Sequence, residues 1–341
     1  MRAIRLVAAA LLAATTLVGG PGGPAGACAC GGIVSPDMAA KVTGEQALVT
    51  LHGGTESIVM ALDVQSIADN AGLIVPTPAP ATATTADPGL FGELARLTAP
   101  KVEPGAPSGA GLDEVGAGPG AAPTVIAQVQ LGPLEATTLT GGDPSGVRGW
   151  LDGHGYRMRP EVTAQLDPYL RQGWSFVAMR LTGTTPLRGQ LDPVQLDFRS
   201  DRLVYPMRMS AAAKDTQYVT VYTLAEHRMQ RTDADANRQA VRVDYAGSVR
   251  GRTGDPALTE FSATNPYLTK ISTTITDPAA IGTDFTFGPA TTDDPYQQVI
   301  RSERPHDDTA LQLAVGASVL VVVLAVVVAV GWIRRHRRAA P

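Results

Sequence analysis

The twenty-three residues from Leu311 to Ile333 include no charged side chain, and the chain then turns at once to Arg334, Arg335, His336, Arg337 and Arg338. As a helix this run extends about 34 Å, enough to cross a hydrocarbon core of roughly 30 Å with modest tilt. The β-branched residues of its middle, Val319 to Val330, are tolerated because lipid forces every backbone group into internal hydrogen bonds. Trp332 falls where an interfacial ring belongs, and basic residues beside a spanning helix stay on the cytoplasmic side. The sequence therefore predicts a transmembrane helix at 311–333 and a basic cytoplasmic tail at 334–341, with Arg334, Arg335, Arg337 and Arg338 setting the orientation. No Leu-Pro-x-Thr-Gly precedes the run, so the anchor is expected to remain in the membrane.

The amino terminus completes this topology. Arg2 and Arg5 precede an apolar stretch at residues 6–18 that is too short to span, and Ala25-Gly26-Ala27 follows. A basic start, a short apolar core and small residues at the cleavage position predict a signal peptide over 1–27. Cleavage after Ala29 fits equally well, because Ala27-Cys28-Ala29 is also small-x-small. Export plus anchoring places the protein in the cell membrane as a single-pass chain, amino terminus outside and carboxy terminus in the cytoplasm. The membrane is thus its first expected partner. With about eight residues inside, any cytoplasmic output needs a second protein.

Composition bounds the exported part. Setting aside Arg2, Arg5 and the four tail arginines leaves 22 basic against 32 acidic residues. An acidic surface excludes nucleic acid as a main ligand, since such binding depends on cations displacing counterions. Thirty-six glycines, 26 prolines and an aromatic share of 5% suit short strands and many turns rather than a helical bundle. The two cysteines, Cys28 and Cys30, lie at the expected mature terminus and cannot staple a domain. Three readings stay open for them: a local Cys-Ala-Cys disulfide in an oxidising compartment, lipidation of Cys28, or loss of Cys28 on cleavage after Ala29. A catalytic thiol pair is disfavoured, because such pairs sit on ordered turns beside groups that lower their pKa.

Residues 28–288 read as one α+β domain, strand-rich and extracytoplasmic, with about three short helices. Gln46–His52 and Ser57–Val64 flank Gly53-Gly54, the pattern of a tight hairpin. A strand at Leu73–Pro80 is stopped by prolines. Asp87-Pro88 opens a helix carrying Leu90, Phe91, Leu94 and Leu97, Asp143-Pro144 one carrying Val147, Trp150 and Leu151, and Arg159-Pro160 one carrying Val162, Leu166, Tyr169 and Leu170. Strands are expected at 125–139, 174–181, 194–198, 203–209, 218–224, 241–245, 268–275 and 285–287. Residues 103–123 read as a Gly/Pro-rich flexible insertion and 289–310 as a polar juxtamembrane stalk.

Cys30-Gly31-Gly32, Ile74-Val-Pro-Thr-Pro-Ala-Pro80, Trp150-Leu-Asp-Gly-His-Gly-Tyr156, Gly173-Trp-Ser-Phe-Val-Ala178 and Tyr205-Pro-Met-Arg-Met-Ser210 occur together. In that combination the chain resembles an uncharacterised exported bacterial family, domain of unknown function 2330, over most of residues 28–290. The resemblance implies export and often a terminal anchor. It transfers no activity, cofactor or catalytic residue.

Asp233, Asp235, Asn237 and Asp244 are the one cluster with metal-like spacing. Oxygen ligands at alternate positions can wrap calcium, but Arg238 stands where a calcium loop needs Gly and Asp244 replaces the bidentate Glu. A solvated turn is the competing reading. The five histidines are scattered with no tight metal spacing; His227, between Glu226 and Arg228, is the best titratable candidate. Neither Gly-x-Ser-x-Gly nor a phosphate-binding glycine loop occurs. The aromatic set Trp150, Tyr156, Tyr169, Trp174 and Phe176 suits either a carbohydrate platform or, on its apolar spacing, a core. The sequence thus favours a non-catalytic cell-envelope interaction or accessory module with an unidentified protein partner and no cofactor. An extracytoplasmic hydrolase-like enzyme with a site assembled from distant residues, and a calcium-stabilised structural domain, are the alternatives.

Overall fold

The computed structural model describes residues 32–35, 40–104, 128–129, 135–139, 145–182 and 187–302. The first half runs β1 (Gly32–Val34), β2 (Lys41–His52), β3 (Thr55–Gln65), β4 (Asn70–Thr77), β5 (Ala81–Thr85), α1 (Leu90–Leu97), β6 (Lys101–Pro104), β7 (Gln128–Val129) and β8 (Glu135–Leu139). Then come α2 (Ser145–Gly153), α3 (Pro160–Ala164), α4 (Asp167–Arg171), β9 (Ser175–Thr182), β10 (Arg188–Leu191), β11 (Val194–Arg199) and β12 (Leu203–Tyr205). The last third holds β13 (Gln217–Ala225), β14 (Met229–Arg231), β15 (Ala240–Ser248), α5 (Pro256–Thr264), β16 (Tyr267–Ile275), β17 (Phe285–Pro289), β18 (Tyr296–Gln297) and β19 (Val299–Ser302).

The β2–β3 hairpin organises the main unit. Gly53 and Gly54 take φ of +57° and +75°, the left-handed geometry that glycine enters without strain, and His52 pairs with Thr55 across the turn. Side chains then alternate between two cores. Ala47, Val49, Ile58, Met60 and Leu62 enter one, while Leu48, Val59 and Ala61 enter another beneath α1 and α5. Both hairpin strands are therefore buried on both faces.

Around the hairpin a sheet runs in the order β18-β15-β16-β13-β2-β3-β10-β7, with β11 also joined to β3 and β5 joined to β11. A second sheet, β1-β4-β9-β8, shares the first core through Leu73, Val75, Val177 and Met179. The intervening residues Ile74, Phe176 and Ala178 face a third core with Trp150, Tyr156 and Tyr169 from the region of α2–α4. The period-2 pattern thus sets four layers: helices α1 and α5, the large sheet, the four-stranded sheet, and α2–α4. A three-stranded sheet, β12-β17-β14, adds Leu203, Tyr205, Met229, Phe285 and Phe287 to the first core.

The strand-rich α+β class holds, and the structure refines its parts. There are four helical regions among the described residues, one of them broken: α3 and α4 replace a single helix at 160–170. Pro168 lacks the N–H that a continuous helix would return to Ala164. The region not expected is α5, where Asp255 accepts from the Leu258 amide at 2.8 Å and Pro256 follows as first helical residue. The strand expected at 203–209 ends at Tyr205, because Pro206 cannot donate to a ladder and Arg208–Ala212 forms a 3-10 turn. Part of the expected stalk is ordered as β18 and β19.

A second unit consists, among the described residues, of β6 and β19 as a parallel ribbon with Val299 beside Lys101 and Ser302 beside Pro104. Among the described residues no helix is long and apolar enough to cross a membrane. The expected signal peptide, Cys28 and Cys30, residues 105–123 of the expected insertion, the helix expected at 311–333 and the arginines at 334–338 lie outside them.

Candidate functional site

The segments that carry the family resemblance meet in space. Ile74, Trp150, Tyr156, Trp174, Phe176, Ala178 and Met209 share one buried cluster. A Cβ on Gly72 would come within 2.9 Å of a Val34 methyl and 3.1 Å of the Tyr156 ring, so that backbone sits too close to its neighbours for a larger residue, and one on Gly32 would come within 2.9 Å of the Met209 methyl, which would have to shift. The Tyr156 hydroxyl donates to the Ala71 carbonyl at 3.2 Å. The five aromatic residues are all at most 9% exposed, which makes the set a core and not a platform.

At the rim of this cluster Arg208 meets Asp284. The carboxylate accepts the Tyr169 hydroxyl at 2.5 Å, the Met207 and Arg208 amides at 2.8 and 3.1 Å, and Arg208 Nε at 2.8 Å. Arg208 Nη2 lies 2.7 Å from the same carboxylate and donates to Gln172 Oε1 at 2.9 Å. The guanidinium carbon stands 4.1 Å from the Tyr169 ring centre and 5.7 Å from that of Trp174. Burial, and then the charge of Asp284, push the Tyr169 phenol well above its ordinary value, so the hydroxyl stays a neutral donor. Every oxygen of Asp284 is occupied, and the set joins α4, the 3-10 turn and the approach to β17. It is a lock on the fold rather than a source of protons.

Two more carboxylates are buried along β12. Tyr205 donates through its hydroxyl to Glu45. The Glu56 carboxyl accepts the Val204 amide at 2.8 Å, and burial pushes it well above the usual carboxylate range. Its Oε2 is buried with no partner among the described residues.

The aspartates of the calcium reading are distributed over two places. Asp233 accepts Arg231 Nη2 at 2.6 Å and Nε at 2.9 Å, and Arg231 lies 3.5 Å from the Phe285 ring centre. Asp235 accepts Arg238 and the amides of Gly282 and Thr283 at 2.8 and 2.9 Å. Burial raises the Asp235 carboxyl, but these donors outweigh it and hold the group below its ordinary value. Asp233 and Asp235 share one turn, since the Asp235 amide donates to Asp233 at 3.2 Å. Asp244 stands apart on β15 and accepts from Arg242 and Ser272, while Asn237 is exposed. Among the described residues no group of three or more His, Cys, Asp or Glu is arranged to hold a metal ion. Arg231, Arg238 and Arg242, close to these aspartates in the sequence, are the cations that engage them.

His227 pairs with Asp293, Nδ1 to Oδ2 at 2.7 Å, on the surface. The hydrogen bond and charge of Asp293 raise the imidazole, and the same bond lowers the carboxyl. His154 holds the Trp150 carbonyl through Nδ1 at 2.8 Å and stacks on the Trp150 ring.

The strongest surface feature is the outer face of the large sheet. Helices α1 and α5 cover Leu48, Val59, Tyr222, Leu224, Tyr245 and Leu268, which is part of that face. Registers continue it past the helices in two rows, Tyr218–Thr274–Ala240 and Thr220–Ser272–Arg242. Tyr218 is 60% exposed, as is the side chain of Arg242. Lys270 borders the rows beside Tyr222, and burial lowers its ammonium pKa. This surface carries one large ring, hydroxyls and cations. It was missed in the sequence because Tyr218 reads like any strand aromatic.

No curated protein matches the chain. Two solved structures are similar to it at 9% identity. The crystal structure of baculovirus P35 has a TM-score of 0.40 and covers 72% of this chain and 97% of that one. A mutated baculovirus P35 after caspase cleavage has a TM-score of 0.31, covering 76% and 100%. Likeness at this level assigns neither fold nor function. A family model described as "Uncharacterized protein conserved in bacteria (DUF2330)" matches residues 24–288, and the chain belongs to that family.

Proposed function

We propose that this is a single-pass cell-surface protein whose exported domain is a non-catalytic interaction or accessory module of the cell envelope. Residues 6–18, the apolar run at 311–333 and the arginines after it support the topology. One observation carries the module reading: the part of the large sheet's outer face beyond α1 and α5 presents Tyr218, 60% exposed, among hydroxyls and Arg242. An exposed ring on a rigid strand supplies contact area at little entropic cost, as anchors of protein interfaces do. Inside the fold Arg208 and Asp284, and Arg231 and Asp233, are engaged with each other, which directs the reading to the exposed residues.

The test is in-cell crosslinking of the full-length anchored protein, purification, and identification of what is attached. A single partner at near-equal amount that disappears with Tyr218→Asp supports the reading. Recovery of the chain alone, or of the same partner from Tyr218→Asp, refutes it.

A further inference from the structure

The large sheet is open at one edge. β15 pairs with β16 from Ala240 to Ser248, with an irregularity between Val243 and Tyr245. On its other side β18 reaches only Tyr245 and Ala246, and one further bond joins the Gln298 amide to the Asp244 carbonyl at 2.9 Å. The bulge separates the two halves of β15, and the pairing of β18 ends there. Among the described residues nothing pairs with the outer edge of Ala240–Val243. Such an edge is a row of backbone donors and acceptors held in strand geometry by the neighbour behind it.

The side chains at that edge define what fits. Val241 and Val243 are half-buried at the margin of the first core, so residues added opposite them would extend that core. Arg242 points to the outer face, in the row of Ser272 and Thr220. Asp244 takes its Nε, leaving both Nη groups without a partner among the described residues, with the side chain 60% exposed. A guanidinium presented this way suits a carboxylate. On the same face the exposed Tyr218 lies two strands in, in the row of Ala240.

Resting on the module reading above, we infer that the partner adds an extended segment to the β15 edge at Ala240–Val243, with an acidic residue opposite Arg242 flanked by apolar residues beside Val241 and Val243. Backbone bonds supply affinity in this mode and alternate side chains supply specificity. A second copy of this chain is disfavoured as occupant. Pairing residues 240–243 antiparallel with themselves about their centre sets each Arg242 against the other copy's Val241, a cation opposite an apolar side chain with no acid in the stretch to meet it. A heterologous acidic strand relieves that conflict.

The experiment uses the full-length anchored protein in its own cells, with the photo-crosslinking residue p-benzoylphenylalanine placed at Ala240, at Tyr218, or at the exposed control position Asp152. Adducts are mapped to the crosslinked peptide by mass spectrometry. The expected result is an Ala240 adduct with one segment of another protein, bearing Asp or Glu between apolar residues. Arg242→Ala and Arg242→Glu should each lower its yield by roughly tenfold or more, the scale of one charge-assisted hydrogen bond, while Arg242→Lys retains most of it. Protease resistance of each variant verifies folding, and Arg242→Ala avoids placing a second acid beside Asp244. Adducts within this chain or to a second copy overturn the proposal, as does a yield indifferent to Arg242. Adducts at Tyr218 without any at Ala240 sink the edge while leaving the module reading standing; adducts at neither position sink both.

Discussion

Replacing Asp284 by Asn isolates the electrostatics of the Arg208 lock. The substitution keeps the shape of the side chain but removes the charge facing Arg208, which is 9% exposed and bonded to that carboxylate through Nε and Nη2. Removing one partner of a buried ion pair leaves the other uncompensated, at a cost of about 3–5 kcal/mol. The Tyr169 hydroxyl and two amides would also face a weaker acceptor. For a domain of this size the loss corresponds to a fall in Tm of roughly 6–20 °C. Urea unfolding of the detergent-solubilised protein, followed by tryptophan fluorescence, reads it directly, because Trp174 lies 5.7 Å from the guanidinium carbon. Arg208→Met completes a double-mutant cycle, in which the double variant should lose clearly less than the two single losses together, since no charge is left unpaired. A loss below about 1 kcal/mol for Asp284→Asn, the scale of an exposed pair, or strict additivity in the cycle, would refute the assignment of a buried, mutually dependent pair.

Glu56→Gln should stabilise the protein near neutral pH. A carboxyl whose folded pKa is raised contributes stability that is full below its unfolded value, near 4.3, and is lost as pH rises toward the folded value. Urea midpoints of wild type and Glu56→Gln should thus converge in acid and separate with the variant ahead at higher pH; parallel curves would count against a neutral Glu56. Millimolar calcium should leave the Tm unchanged, and Asp233→Asn should destabilise equally with calcium or chelator, because Arg231 holds that carboxylate; a calcium-dependent rise abolished by Asp233→Asn would reverse this. For topology, in a chain with Cys28 and Cys30 replaced by Ser, an impermeant maleimide should label Asn237→Cys on intact cells and Ala340→Cys only after permeabilisation. Labelling of both on intact cells would disprove the spanning helix.

What the sequence discloses follows from interaction range. The β2–β3 hairpin is legible because its paired-glycine turn is local, and the helix stripe Leu90, Phe91, Leu94 and Leu97 is buried as its spacing requires. α5 buries only Leu258 and Ser262, so its apolar stripe is nearly silent and only the Asp255-Pro256 start marks it. β14 is three residues, Met-Gln-Arg, whose arginine is buried against Phe285; nothing local announces such a strand. Arg208 was visible as a charge within the otherwise apolar run from Leu203 to Met209, where burial demands an acid. Which acid supplies it, 76 residues later, is decided only by packing.

That distinction bears on what the family match means. The segments by which this chain resembles its family lie largely in one interior: Gly32 under Met209, Gly72 under Tyr156, Arg208 over Tyr169. Residues so placed specify an architecture, because a methyl group at Gly72 or a lost charge at Arg208 disturbs the packing of several elements at once. They specify no ligand. On the module reading, recognition falls to exposed residues such as Tyr218, where substitution costs the fold little. Relatives sharing the interior are therefore expected to share the four layers and to differ in partner wherever the outer face and the β15 edge differ. A relative carrying an acidic residue at the position of Arg242 should select a segment with a basic residue in the facing position, and exchanging that one side chain between the two proteins should exchange a measurable part of their preference.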